Sequence, residues 1–251
     1  MKRKVYSVVL LIFICIILSL YINYRGSATF LKINKRIPIY SVSTNEKKVA
    51  ITFDTSWGKD NTKEILDILE EYNVKATFFI IGKWANEFQS EVKQINIKGH
   101  EIGNHSYRHP NMTVLANDKI KNEIISTDEK IFEITGQTTK MFRCPEGSYN
   151  DLVIKTAEAT GKYCIQWDVD SIDWKEEGAE IEYQRVIKKT KPGSIILFHN
   201  NAKYTPQNLE RIIKDLQKNG YKFVVVSDLI YKDNYNINNE GKQIPNKGIV
   251  N

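Results

Sequence analysis

The sequence predicts an α/β fold in which parallel strands close, or nearly close, into a β/α barrel. Two observations carry this. Strand-like and helix-like segments alternate about seven times between Lys48 and Val226, and most of the strand-like segments are unbroken apolar runs. Parallel strands covered by helices on both faces read that way, whereas half-exposed antiparallel strands alternate apolar and polar. A doubly wound open sheet is the second architecture compatible with the pattern.

The elements follow in order. Lys48–Phe53 (KVAITF) is β-branched and apolar and reads as a buried strand. Asn61–Tyr72 has helical spacing, with Ile65, Leu66, Ile68 and Leu69 on one face. Ala76–Ile81 reads as a strand, Lys83–Lys98 as one helix stopped by Gly99, and Glu101–Gly103 as a short strand. Asn117–Thr135 is expected to be a helix with Asn117 as its N-cap and Gly136 as its terminator. Lys140–Arg143 is a short strand, Asn150–Thr160 a helix, Tyr163–Trp167 a strand and Ile181–Lys189 a helix. Ser194–Phe198 is a strand, Thr205–Lys218 a helix with Pro206 in its first turn, and Tyr221–Val226 the last strand.

The flanks are of another character. Lys2-Arg3-Lys4 precedes an apolar run, Val5–Ile22, which at ~1.5 Å per helical residue is just long enough to cross a bilayer core. The basic flank predicts a cytoplasmic N-terminus and an exported remainder. An uncleaved single-pass signal-anchor over residues 1–23 is preferred to a cleaved signal peptide, because Ser27-Ala28-Thr29 is a weak cleavage site. This places the protein at the cell membrane with its main domain extracytoplasmic. Residues 24–46 are expected to link the anchor to a domain at 47–231, with Ile37–Val42 as a possible outer strand. Residues 232–251, rich in Asn, Lys and Gly, are expected to form a polar, flexible tail.

The net charge of +6 suits an anionic surface such as a bacterial wall or membrane, but the basic residues are scattered and form no nucleic-acid motif. Nucleic acid is therefore not an expected partner, and a monomer is expected. The three cysteines, Cys15, Cys144 and Cys164, have no metal-type spacing. Small buried thiols are preferred, and a Cys144–Cys164 bridge is left open.

Chemically useful side chains fall where strands end. Asp54 follows KVAITF, His105 and His109 follow HEIGN, Arg143 ends the short MF strand, Asp170 and Asp173 follow CIQW, and His199 follows SIILF. In β/α barrels the loops at the carboxyl ends of the strands build the active site. His105 and His109 stand four apart, a spacing that can aim two imidazoles at one divalent ion. His100 is read as a partly buried structural histidine.

In order along the chain, TFDTSWG (Thr52–Gly58), HSYRH (His105–His109), RCPEG (Arg143–Gly147), DSIDW (Asp170–Trp174) and LFH (Leu197–His199) resemble the five motifs of the polysaccharide deacetylase (NodB homology) family, over about Val49–Val226. The resemblance implies a distorted barrel of about seven parallel strands and metal-assisted removal of N- or O-acetyl groups from glycans. It implies that Asp54 is the general base, Arg143 its orienting partner, His199 the acid and Asp173 the residue that tunes it. It further implies that His105 and His109 hold a divalent metal such as zinc. The backbone of Glu146 would help hold the oxyanion, and Trp174, Leu197, Glu146 and Tyr149 would contact substrate, an N-acetylated cell-wall glycan. The string TFD-x-SWG resembles a sporulation-type subgroup.

The sequence departs from the family pattern at two positions. Thr55 stands where the family has a second Asp as the metal's carboxylate ligand, and a hydroxyl is a much poorer ligand for a divalent ion. Asp60 could substitute, but is read as a helix cap. Glu146 replaces the usual aromatic. The expected function is therefore N-deacetylation of a peptidoglycan-type glycan, with a catalytically weak glycan-binding module and an O-acetyl esterase as competing readings.

Overall fold

The computed structural model describes residues 6, 10–21, 35–56 and 61–246. The chain divides into two compact units, residues 1–35 and 36–251. In the first, residues 10–21 are helical, a length of ~18 Å against the ~30 Å of a bilayer core. Among the described residues, no helix is long and apolar enough to cross a membrane. The rest of the expected anchor, including Lys2-Arg3-Lys4, lies outside the described residues.

The second unit is a curled half-barrel of parallel strands flanked by helices. After β1 (Ser41–Val42) come β2 (Lys48–Thr55), β3 (Thr77–Ile80), β4 (Glu101–Asn104), β5 (Met141–Phe142), β6 (Tyr163–Cys164), β7 (Val169–Asp170), β8 (Ile195–His199) and β9 (Lys222–Phe223). They form an eight-stranded sheet in the order β6-β5-β4-β3-β2-β8-β7, with β9 also paired to β2. Every pairing in it is parallel. The barrel is open between β6 and β7. There Ile39 bridges to Ile165, its N–H donating to the Cys164 carbonyl while Gln166 N–H donates back to Ile39.

The apolar runs resolve into two faces by the two-residue period of a strand. Ile51, Phe53, Phe78, Ile80, Ile196 and Phe198 pack outwards with Leu66, Leu69, Ile212 and Ile213 of the helices Thr62–Glu71 and Thr205–Lys218. Their alternates Ala50, Phe79 and Ile195 pack inwards with Met141, Ile165 and Val226. Both faces are buried, which is why these runs carry no polar alternation.

Several local expectations are corrected. Lys83–Lys98 is two helices, Gly82–Glu87 and Gln89–Ile97, broken at Phe88, whose φ of −118° and ψ of 52° leave the helical region. The Phe88 ring stacks on Trp84, 5.1 Å between centroids. The N-cap of Asn117–Thr135 is Ala116, because the Asn117 side chain instead accepts from Thr156 Oγ1 at 2.5 Å. The strands predicted at Tyr163–Trp167 and Tyr221–Val226 each shrink to two residues, and Val226 opens a short helix whose first N–H donates to Thr77 Oγ1. Cys144 and Cys164 are buried free thiols.

The expected linker and tail also differ. Ile39 and Val42 sit in the inner core, and β10 (Tyr235–Ile237) and β11 (Lys242–Pro245) form a three-stranded sheet with β1. The tail's polar composition concealed this because its anchor is a polar residue. Gln243 is fully buried, accepts from Tyr231 N–H at 2.8 Å and donates to the Tyr231 carbonyl at 2.6 Å. Gln243→Ala leaves both backbone groups unpaired and should cost about 1–3 kcal/mol for each. A denaturant midpoint equal to that of the unaltered protein would show that this sheet adds nothing to stability.

Candidate active site

The carboxyl ends of β2, β4 and β8 meet over a cavity of about 400 Å³. Asp54, His105, His109, Glu146, Trp174, Leu197 and His199 all line it. A larger cavity of about 590 Å³ opens at the opposite, amino ends of β4, β5 and β6 and contains none of these residues.

Asp54 and His199 are register partners on the neighbouring strands β2 and β8. Asp54 is 6 % exposed, and its Oδ1 accepts from Arg143 Nη1 at 2.7 Å. Arg143 is fully buried, donates through Nη2 to the Gln166 carbonyl at 3.1 Å, and lies between the rings of Phe79 and Trp167, at 4.0 and 5.4 Å from their centroids. Burial alone would raise the Asp54 carboxyl. The cation of Arg143, then His105 and His199, outweigh it and hold Asp54 below the ordinary carboxylate range.

His199 is set the opposite way. Burial would lower its imidazole, but Asp173 Oδ1, 2.7 Å from Nδ1, raises it above its ordinary value. Asp173 is itself 1 % exposed and tied down. Its Oδ2 accepts from the His199 backbone N–H at 2.6 Å and from Thr205 Oγ1 at 2.8 Å, and its Oδ1 also accepts from Trp174 N–H at 2.9 Å. The site thus pairs a carboxylate favoured in its ionised form with an imidazole favoured in its protonated form.

His105 and His109 are carried by a tight loop after β4, in which Ser106 and His109 take positive φ of 66° and 59°. The Ser106 N–H donates to Asn104 Oδ1 and the His109 N–H to Ser106 Oγ, so the loop is held by its own side chains. The two rings meet edge-on, 4.9 Å between centroids. Burial lowers both imidazoles, His109 to about 4, so both are neutral at pH 7. His105 Nδ1 lies 2.8 Å from the Arg143 carbonyl, which can only accept, so Nδ1 carries the hydrogen and Nε2 the lone pair.

That lone pair faces Asp54 Oδ2 at 3.4 Å. Two acceptors at this separation fit a cation or the hydrogen of a water between them. An outer-shell hydrogen bond from the far ring nitrogen is likewise what metal-ligating histidines use. The donor set is nevertheless incomplete for a strong site. Among the described residues, no group of three His, Cys, Asp or Glu is arranged to hold a metal. Thr55, at the position of the family's carboxylate ligand, is fully buried and its hydroxyl has no hydrogen-bond partner. Asp60 lies outside the described residues.

The remaining expected residues divide. Trp174 is 58 % exposed at the rim and Leu197 is buried in the floor. Glu146 sits on the Pro145–Gly147 turn at φ 57°. Tyr149 does not line the cavity. Its hydroxyl bonds that of Tyr40, and its ring packs in the cluster of Met112, Phe142 and Cys144. Sequence reasoning missed Ser56 and Trp167, both of which line the cavity. Trp167, directly after the predicted strand CIQ, was the available signal. Gly147 is needed beside it, because its φ is 67° and a Cβ there would meet the Trp167 ring at 3.0 Å.

Comparison with known proteins agrees with this site. Residues 41–165 match the polysaccharide deacetylase family. The chain is 33% identical to peptidoglycan-N-acetylmuramic acid deacetylase PdaA of Bacillus subtilis (strain 168), over 80% of this chain and 78% of that protein. It is 36% identical to a peptidoglycan-N-acetylglucosamine deacetylase of Bacillus cereus, over 82% of this chain and 76% of that one. Among solved structures, a family 4 carbohydrate esterase pseudoenzyme from Bacillus anthracis superposes with a TM-score of 0.74 at 38% identity, covering 76% of this chain and 68% of that one. A mutant of it with restored enzymatic activity superposes equally well, at 40% identity over 76% and 70%. With the fold, the site and these relatives in accord, the chain belongs to the polysaccharide deacetylase family.

Proposed function

We propose that the protein hydrolyses N-acetyl groups on a peptidoglycan-type cell-wall glycan. The observation that carries this reading is the pairing of Asp54, held ionised by buried Arg143, with His199, held protonated by buried Asp173, on adjoining strands over one cavity. A surface that only binds glycan has no need of a poised base beside a poised acid. A water in the cavity gives a proton to Asp54 as its oxygen attacks the acetyl carbon. The oxyanion that forms is met by the backbone N–H of Glu146. His199 then protonates the sugar nitrogen as the C–N bond breaks, releasing acetate and a free amine. Leu197 and Trp174 enclose the acetyl methyl. A divalent ion such as zinc, held by His105 and His109, would supply Lewis-acid polarisation of the acetyl carbonyl. Acetate release from an N-acetylated glycan, with and without added zinc, tests the reading.

The pH profile follows from the two shifted groups. The base works above the lowered value of Asp54 and the acid below the raised value of His199. Activity should therefore fall on the alkaline side only beyond the ~6.5 of a free imidazole. Asp173→Asn removes the partner anion and should move the alkaline limb of kcat/KM down by about 1–3 pH units. An unmoved limb would show that His199 is not the group titrating there.

A second reading is a glycan-binding module of the same fold. Thr55 favours it, as does likeness to a protein described as a pseudoenzyme. Retention on peptidoglycan with no acetate at any zinc concentration would select it. The apolar run behind Lys2-Arg3-Lys4 supports anchoring at the cell membrane with the domain outside, and the TFD-x-SWG string supports a role in sporulation.

A further inference from the structure

Behind Asp173, on the side away from His199, lies a third carboxyl. Glu182 sits in the helix Ala179–Lys189 and is 3 % exposed. Neither of its oxygens has a hydrogen-bond donor, and Asn208 Oδ1, on the helix Thr205–Lys218, is likewise buried without one. The two side chains adjoin. Asn208 Nδ2 donates to the Ala179 carbonyl at 2.8 Å, which fixes the orientation of the amide. Turning it over would set Oδ1 against that carbonyl and only move the clash. As drawn, acceptors face acceptors, and leaving such groups unsatisfied costs about 1–3 kcal/mol each. One proton on the Glu182 carboxyl converts it into a donor to Asn208 Oδ1 and satisfies both residues.

We propose that Glu182 is held as a neutral carboxylic acid bonded to Asn208 Oδ1 and is a positioning residue, leaving Asp173 as the one negative charge behind His199. The role rests on the reading of His199 and Asp173 as the acid pair. The surroundings agree with a neutral group. Asp173, Glu176, Glu177 and Tyr204 line the small cleft against Glu182, and no cation does so among the described residues. Burial, then the charge of Asp173, raises the carboxyl from 4.5 to about 7. Because the folded value is raised, Glu182's contribution to stability is fully present below the unfolded value and is lost as pH rises through about 7. Above that pH, a second negative charge faces Asp173 and strengthens the hold on the His199 proton.

The test uses the full chain and Glu182→Gln, whose amide can donate to Asn208 Oδ1 but cannot ionise. Infrared spectra of the unaltered protein at pH 6 should contain a carboxylic-acid carbonyl band that titrates near 7 and is missing from the variant. The His199 imidazole, followed by NMR, should titrate at lower pH in the variant, and the loss of thermal stability on raising the pH through 7 should flatten. Glu182→Ala should shift His199 equally while losing stability at every pH, because Asn208 Oδ1 is left without a donor. No acid band at pH 6, or a His199 titration identical in all three proteins, overturns the proposal. None of these readouts needs acetate release, so failure of the deacetylase reading would show separately, as an absence of product.

Discussion

Asp54→Asn should reduce acetate release by ~10²–10⁴-fold, the range a positioned general base contributes. The amide keeps the shape of the carboxylate and can still accept from Arg143, but cannot take a proton from water. A second effect follows from burial. The Arg143 side chain is fully buried, with Asp54 as its ion-pair partner, and removing one member of such a pair costs about 3–5 kcal/mol. The variant could therefore lose activity by unfolding. Asp54→Asn combined with Arg143→Met separates the effects, since replacing both members of a buried pair is often close to neutral. The double variant should melt nearer the unaltered protein and still release no acetate. Undiminished kcat/KM in a folded Asp54→Asn protein would assign the base elsewhere. Loss of activity rescued by the double variant would make Asp54 purely structural.

The legibility of this site in the sequence depended on the strands that carry it. KVAITF and SIILF are buried on both faces, so their apolar runs were plain, and Asp54 and His199 at their ends were found with them. β5, β6, β7 and β9 are two residues each, too short for any periodicity, and were drawn too long. The C-terminal sheet was missed for a different reason. Its strands are held by backbone pairing and by Gln243, and neither leaves an apolar signature. Tyr149 shows the limit of carrying a role across by motif. It lies two residues beyond RCPEG, close enough in sequence to suggest substrate contact, yet the turn at Glu146 and Gly147 carries the chain away and gives its hydroxyl to Tyr40. The pairing of Glu182 with Asn208 could not be read at all. One lies on the helix Ala179–Lys189 and the other on Thr205–Lys218, and only the packing of those helices brings them together.

Thr55→Asp should have the largest effect on metal binding. Thr55 pairs with Ile80, and Ile80 with Asn104, the residue before His105, so position 55 stands in the same tier as the histidine loop. Its hydroxyl is already buried without a partner. A carboxylate there adds an anionic oxygen to two neutral imidazoles and completes the three-ligand set usual for catalytic zinc. Zinc affinity by calorimetry should rise by more than the ~10–100-fold attributed to outer-shell partners alone. In chelator the same change should be harmful, because an unpaired ion taken out of water costs several kcal/mol. The variant should thus melt lower than the unaltered protein without metal and higher with it, as binding to the folded state alone requires. A merely tolerated polar substitution would not produce that crossing. If the melting curves keep the same order in chelator and in zinc, position 55 does not reach the ion. The weak donor set would then trace to the histidine loop itself.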